Sequence, residues 1–323
     1  MTTTPRGEIP SGKTGERESL TETRDLRTPA VALVTARAAR GLDADLPVLL
    51  AAFAAAGAHA EIADWDDAAV DWGRFDLALL RSAWDYTERL PQFLAWVERT
   101  AGLTLLLNPP PVVRWNSDKH YLRELAAGEV PVVPTTFVDA GAEPRPVLEA
   151  FLARHSCAGV VVKPAVGAGS RDARRHARTA IGEMLAHLQP LLAAGRSMML
   201  QPYLERVDRD GETALVFIEG AFSHAIRKGP LLPAGAAATA ALFAPEKISP
   251  RVASAEELAV ARRAVAQVPF GQLLYARVDL IRDAAGQPRV LELELTEPSL
   301  FISHAPGSEE RFAAAALARL RAC

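Results

Sequence analysis

The feature that most constrains this chain is a run of alternating apolar and acidic residues near its C-terminus. The segment LELEL, residues 291–295, places Glu292 and Glu294 on one face and leucines on the other. A period of two predicts a β-strand with one buried face. The upstream segment YARVDLIRD, residues 275–283, predicts a second strand, and the short connection through Gly286 predicts a hairpin.

The apolar pattern also predicts the register of this hairpin. An even-length connection centred on Ala285 and Gly286 gathers the apolar residues on one face, whereas a shift by one residue would mix the faces. Three carboxylates and one arginine then share the other face. The expected cross-strand pairs are Arg277 with Glu294, Val278 with Leu293, Asp279 with Glu292, and Leu280 with Leu291.

Two explanations fit such an acidic face. A solvated strand edge is the ordinary explanation for alternation alone. Like charges at neighbouring positions repel, however, and a bound hard cation would offset that repulsion. Because Mg²⁺ prefers oxygen ligands and commonly combines one or two carboxylates with substrate phosphates, the pattern predicts a magnesium site if the chain also contacts a nucleotide.

The composition is that of a globular protein. The chain has 323 residues, 49% of them hydrophobic, and a formal net charge of −3. This length suits about two domains, and the balanced charge argues against a nucleic-acid-binding surface. Two cysteines exclude a disulfide framework and a cysteine zinc cluster and fit a cytoplasmic location. We expect no membrane association, because no apolar run reaches the roughly 18 residues of a membrane span.

Two segments are expected to lie outside the packed structure. Residues 1–28 contain few hydrophobic residues and no apolar core of a secretory signal, so we expect a disordered tail. The Ala-rich stretch 234–244 is expected to form a loop or lid.

Strands and helices alternate in residues 29–110, which predicts an open α/β domain with a mainly parallel sheet. Ligands of such sheets gather at the carboxyl ends of the strands, where RSAWDY, residues 81–86, is found. A loop with buried aromatic residues is the alternative explanation for that segment. The predicted strands are 31–36, 59–65, 76–82 and 103–108, and the predicted helices are 44–56 and 90–101.

The rest of the chain mixes strands and helices without a repeat. We assign residues 111–200 and 201–323 to two further units, the first containing a helix from Asp118 to about Ala127 capped by Asn116 or Ser117. A hairpin about Glu219 and Gly220 would place Glu212 opposite Arg227. The other predicted strands are 130–138, 159–164 and 198–204, and the other predicted helices are 254–267 and 308–322.

The segment VVVKPAVGAGSRD, residues 160–172, is a candidate phosphate-binding element. Lys163 ends a strand, and a loop containing Gly167 and Gly169 follows. Glycine lets the backbone approach phosphates closely, and lysine supplies a point charge. The segment is not a Walker A loop, because Lys-Ser/Thr does not follow the glycines, and taken alone a glycine turn with a solvated lysine is the more common explanation.

The order of these elements resembles the ATP-grasp superfamily of carboxylate–amine ligases. RWNSDKHYL, KPAVGAGSRD, QPYLE, Glu212 and the R-V-D…E-L-E hairpin follow one another over residues 115–299. The resemblance implies two α+β lobes that enclose ATP, downstream of the N-terminal α/β domain.

The resemblance also implies roles for individual residues. Asp279, Glu292 and Glu294 would bind two Mg²⁺ ions, with Mn²⁺ as a substitute, and Arg277 would act in catalysis together with Lys228. Many relatives have asparagine at the position of Glu294. The implied nucleotide-binding residues are Lys119, Lys163, Gly167, Gly169, Ser170, Arg171, Gln201, Pro202, Tyr203, Leu204, Glu212 and Lys247.

More narrowly, WDY, WNSDK, GAFSHAIRKGP and LELELTEPSLF are similar to the O-ureido-serine cyclo-ligase group. That resemblance implies phosphorylation of a substrate carboxylate by ATP, followed by attack of an internal nitrogen and closure of the cycloserine ring. The expected partners are a small carboxylate and an amine, and a homodimer is left open. An intermolecular amino-acid or dipeptide ligase and a non-catalytic nucleotide-binding module are the alternatives.

Overall fold

The structure is a computed structural model that describes residues 1–3, 28–230, 232, 242 and 247–322. The expected N-terminal tail and the expected Ala-rich lid lie almost entirely outside these residues. In the described ranges, no helix combines the length and the apolar character needed to cross a membrane.

The N-terminal region forms a parallel sheet in the strand order β2-β1-β3-β4. Its two central strands are buried along almost their whole length, as expected for parallel strands that are covered on both faces. The prediction of an open parallel α/β region is confirmed. The elements are β1 (Ala30–Thr35), α1 (Asp45–Ala55), β2 (His59–Asp64), β3 (Leu77–Ser82), α2 (Leu90–Ala101) and β4 (Leu105–Leu107).

Two short helices follow, α3 (Pro110–Asn116) and α4 (Tyr121–Ala127). The predicted helix start at Asp118 with an Asn116 or Ser117 cap is wrong, because α4 begins at Tyr121 without a side-chain cap. Asn116 ends α3, and its side-chain amide donates to Leu293 O over 2.8 Å. The side chain that looked like a cap therefore fixes the acidic hairpin.

The next region is an antiparallel sheet in the order β5-β8-β6-β7, packed against two helices. Phe151, Met184 and Leu188 are buried between the helices and this sheet. The elements are β5 (Thr136–Val138), α5 (Pro144–Arg154), β6 (Gly159–Pro164), β7 (Arg174–Ala177), α6 (Ile181–Ala193) and β8 (Met198–Pro202).

The C-terminal region is built on a five-stranded antiparallel sheet in the order β11-β10-β9-β12-β13. A capping box starts its first long helix, since Glu257 N donates to Ser254 Oγ and Ser254 N donates to the Glu257 carboxylate. The elements are α7 (Val207–Asp210), β9 (Glu212–Ile218), β10 (Ala221–Lys228), β11 (Ile248–Arg251), α8 (Ala255–Ala266), β12 (Tyr275–Arg282), β13 (Pro288–Glu294) and α9 (Ser308–Ala322).

Both predicted hairpins form, but each contains a register shift. In β12–β13 the predicted pairs of Arg277, Val278 and Asp279 are confirmed, whereas Leu280 pairs with Val290 instead of Leu291. The expected even-length connection is wrong, because Asp283 N donates to Gln287 O and closes a five-residue turn. A bulge then absorbs the extra residue.

The register shift in β9–β10 lies next to Ser223, between Phe222 and His224. As a result Glu212 pairs with Lys228, and the predicted pair of Glu212 with Arg227 is wrong. The bulge therefore places Lys228, instead of Arg227, opposite Glu212.

Buried hydrogen bonds join the N-terminal sheet to the C-terminal sheet. Asn108, next to the end of β4, donates to the carbonyl oxygens of Tyr275 and Leu295 over 3.0 and 2.8 Å. The Tyr275 hydroxyl lies 2.9 Å from Thr296 O. These bonds fix the segment that follows the acidic hairpin relative to the N-terminal region.

Candidate active site

A cavity of about 500 Å³ lies where the three sheets meet. Fifteen of the seventeen residues predicted for the site line this cavity. The two others are Asp279, which lies buried behind Lys228 and Arg277, and Lys247.

Lys247 is not among the residues that line the cavity. Its side chain is exposed, and its backbone carbonyl accepts a hydrogen bond from Gly229 N over 2.9 Å. A role of the Lys247 side chain in nucleotide binding stays a prediction.

One end of the cavity is an apolar slot. Val133, Val161, Val207 and Ile281 pack around it, with Tyr203 from the segment after β8. This composition suits the flat face of an aromatic base, with backbone groups left to contact its edge. Gln201, Pro202 and Leu204 also line the cavity.

The bulge in β13 contributes to the same slot. Leu291, expected to face Leu280 in the core, is only partly buried and packs against the residues of the slot. The bulge therefore supplies an apolar contact to the cavity next to the acidic residues.

The glycine loop lies against Lys119. The Lys119 ammonium donates to Gly167 O over 2.5 Å, and Lys119 N donates to Ala165 O over 3.0 Å. Gly169 and Ser170 both have a φ of 60°, which permits a tight turn here. Arg171 pairs with Glu88 of the N-terminal region.

Lys163 lies near the end of β6, just before this loop, and is half-buried in the cavity wall. Burial lowers the pKa of its ammonium, and the positive charge of Lys119 acts in the same direction. A buried cation of this kind is poised for an anionic ligand such as a phosphate.

Each carboxylate of the acidic hairpin has a cationic partner. Glu292 pairs with Lys119 over 2.8 Å, and Glu294 pairs with Arg277. Asp279 accepts from Arg277 Nε over 2.9 Å and from Lys228 Nζ over 2.6 Å. The expected repulsion between carboxylates is thus offset by protein cations.

Lys228 bridges two strands of the C-terminal sheet. Its ammonium lies 2.9 Å from Glu212 Oε2 as well as 2.6 Å from Asp279 Oδ2. It is 5% exposed, so the three charges form a buried chain across β10, β9 and β12.

The acidic groups differ in their pKa. Burial raises the pKa of Glu294 to about 8, against the opposing effect of Arg277. Burial also acts on Asp279, but Arg277 and Lys228 hold its pKa at about 2. The pKa of Glu292 is lowered, since Lys119 and Lys163 together outweigh its burial.

The donor set fits a hard cation in its chemistry, because Asp279, Glu292 and Glu294 offer only oxygen atoms. Within residues 28–230 and 247–322, no three acidic, histidine or cysteine side chains converge closely enough to form a preassembled metal site. The metal-binding role of the three carboxylates therefore stays a prediction.

Comparison with known proteins identifies the family. The profile of the N-terminal domain of D-cycloserine synthetase DcsG matches residues 31–108. The cycloserine biosynthesis protein DcsG of Streptomyces lavendulae is 43% identical over 298 residues, which cover 90% of this chain and 99% of the relative. This chain belongs to the DcsG family of ATP-grasp ligases. The predicted enzyme class, a ligase that forms carbon–nitrogen bonds, is confirmed.

Solved structures agree with this assignment. The crystal structure of D-cycloserine synthetase DcsG has a TM-score of 0.86 and 41% identity, covering 90% of this chain and 99% of that chain. The D-alanine–D-alanine ligase of Bacillus anthracis has a TM-score of 0.60 at 12% identity, covering 90% of this chain and 98% of that chain. The second likeness concerns the fold alone and confirms the predicted fold class.

The sequence contained only one indication of the residues that hold the segment after β13. Arg81 donates to Pro298 O over 2.7 Å, and Asp45 accepts from Leu300 N and Ile302 N over 2.8 and 2.9 Å. Arg277 Nη1 in turn donates to Ser299 O over 3.0 Å. That indication was the position of RSAWDY at the end of a strand. Arg81 of this segment is fully buried, where it contacts the backbone of the segment after β13.

Proposed function

We propose that this enzyme uses ATP and Mg²⁺ to convert a substrate carboxylate into an acyl phosphate. An amine nitrogen then attacks the acyl carbon, so that a C–N bond forms, phosphate leaves and the nitrogen loses a proton. The observation that carries the proposal is the cluster of Lys119, Lys163, Lys228 and Arg277 around the hairpin carboxylates, at one end of an apolar slot.

The two ends of the cavity would bind different parts of ATP. The apolar slot would hold the adenine, and Glu212 at its border would accept hydrogen bonds from the ribose hydroxyls. Lys119, Lys163 and the loop 167–171 would contact the phosphates. Phosphoryl transfer needs mainly positioning and charge stabilisation, which lysines and backbone N–H groups supply.

Asp279, Glu292 and Glu294 would hold the Mg²⁺ ions. Bound Mg²⁺ supplies neutralisation of the charge on the transferring phosphoryl group. Arg277, already oriented by Asp279 and by Ser299 O, would stabilise the negative charge that develops on the acyl oxygen when nitrogen attacks.

The relative named for cycloserine biosynthesis supports a finer proposal for the substrate. In this proposal, the enzyme closes the ring of O-ureido-serine, so that the carboxylate and the attacking nitrogen belong to one molecule. Identity of 43% over nearly the full length of that relative favours ring closure over an intermolecular ligation.

The test is product analysis of the purified enzyme with ATP, Mg²⁺ and O-ureido-serine. We expect ADP and phosphate, formed only when the carboxylate is present. AMP with pyrophosphate would instead indicate adenylation and overturn the acyl-phosphate mechanism. Calorimetry of a non-hydrolysable ATP analogue with and without Mg²⁺ gives an independent measure of metal-dependent nucleotide binding.

A further inference from the structure

Glu297 is a buried carboxylate that the reaction scheme above does not use. It lies just after β13, lines the cavity and is 7% exposed. Among the described residues, no hydrogen bond or ion pair joins its side chain to another residue, although the neighbouring carboxylates are all paired. Apart from a hydrogen bond from its own backbone N–H, the buried carboxylate has no partner among the described residues, which is costly unless a ligand provides one.

The carboxylate faces the reaction centre rather than the apolar slot. The charged groups that act on it are Lys119, Glu292 and Arg277, all of which line the same cavity. Lys119 does not serve as its partner, because its ammonium contacts Glu292 and Gly167 O. Glu297 therefore faces the space next to the predicted phosphate and metal positions.

The backbone around Glu297 is fixed from both sides. Trp84 Nε1 donates to Glu297 O over 3.2 Å, Tyr275 lies 2.9 Å from Thr296 O, and Arg81 donates to Pro298 O over 2.7 Å. Because the acceptors of these bonds are backbone carbonyls, the bonds hold the segment in place without neutralising the Glu297 side chain. The structure thus presents a preorganised carboxyl group.

The wall beside Glu297 comes from the N-terminal region. Trp84 and Tyr86 of the segment RSAWDY line the cavity there, and Tyr86 is buried. A carboxylate flanked by aromatic rings suits an ammonium group, which gains a charge-assisted hydrogen bond and attraction to the ring faces.

We propose that Glu297 binds the free ammonium group of an amino-acid substrate. This inference rests on the proposed function and restricts it, because a carboxylate substrate without an amino group would leave Glu297 unpaired. Recognition is expected to favour the amino compound over its deaminated counterpart roughly 10- to 100-fold, the range for a charge-assisted hydrogen bond.

The test compares O-ureido-serine with its deaminated analogue on three proteins. O-ureido-serine, as each enantiomer, and the analogue with hydrogen in place of the α-amino group are titrated into enzyme saturated with AMPPNP and Mg²⁺. Wild type should bind one enantiomer at least 10-fold more tightly than the analogue, a margin expected for one charged hydrogen bond. Glu297→Gln should remove this difference and leave the affinity for the analogue unchanged, whereas Glu297→Asp should retain part of it.

Several outcomes would overturn the inference. They are equal affinity of wild type for both ligands, equal weakening of both ligands in Glu297→Gln, and loss of Mg²⁺-dependent AMPPNP binding in that variant, which would assign Glu297 to the metal. Failure of wild type to bind AMPPNP with Mg²⁺ would instead overturn the proposed function.

Discussion

Replacement of Lys228 by methionine removes the central cation of the buried chain while keeping the length of the side chain. Glu212 and Asp279 would then lose a partner at 2.9 and 2.6 Å, and Asp279 would retain only Arg277. Loss of one member of a buried ion pair costs about 3–5 kcal/mol, because the other charge stays buried. We expect the metal-free variant to lose a comparable free energy of unfolding at pH 7.

The pH dependence of this loss identifies its cause. Two cations hold the pKa of Asp279 at about 2, below its ordinary value, so the ionised group stabilises the fold above about pH 4. That stabilisation is lost in wild type as the pH falls through the folded pKa. The difference between wild type and Lys228→Met should therefore keep its full size from pH 7 down to about pH 4 and shrink as the pH falls from 4 toward 2.

The assay is urea unfolding of the metal-free protein from pH 2 to pH 7, followed by circular dichroism. Arg227→Met is the matched control, since Arg227 precedes Lys228 on β10 but donates to the backbone oxygen of Asp210 and does not line the cavity. A difference that is independent of pH, or one no larger than that of the control, would refute the argument from buried charge.

Two further predictions concern catalysis and His176 on β7. Arg277→Ala should lower the rate of single-turnover ADP formation by about 10²- to 10³-fold, because the guanidinium would act mainly on charge that develops in the transition state. The change in AMPPNP affinity, measured by calorimetry, should be smaller. A loss confined to affinity would contradict this prediction. Burial, His187 and Arg174 lower the pKa of His176 to about 4. Below about pH 6.5, His176 therefore binds a proton in the unfolded chain but not in the folded protein. From pH 7 to pH 5, unfolding titrations should show a loss of about 2 kcal/mol that His176→Gln lacks, and equal pH slopes would contradict the assignment.

The hairpins show which parts of the site could be predicted from the sequence. Alternation of apolar and charged residues predicted the β12–β13 hairpin and the face that carries Asp279, Glu292 and Glu294, because burial of one face strongly constrains register. The bulges could not be predicted, since one extra residue is compensated within the strand and leaves the overall pattern almost intact. That is why Lys228 replaced Arg227 as the partner of Glu212.

Contacts between residues that are far apart in the sequence also could not be predicted. The order of motifs placed Lys119 in the site, but nothing in the sequence showed that its ammonium would lie 2.8 Å from Glu292, 173 positions later in the chain. Likewise Asn116 looked like a helix cap, because a local role is the simplest one for asparagine at that position. Its amide instead holds the backbone of β13.

The charge balance of the cavity explains how the acidic site proposed to bind metal can fold before its ligands arrive. Protein cations neutralise Glu292, Glu294 and Asp279, so their mutual repulsion is largely offset in the metal-free protein. The same cations, Lys119, Lys228 and Arg277, face the space proposed for phosphates. Arrival of a nucleotide with Mg²⁺ would bring anions for these cations and a cation for these carboxylates, so the partners can exchange without leaving a buried charge alone. Glu297 has no such protein partner in the described chain, which leaves the ammonium of the substrate as the group that would complete the balance.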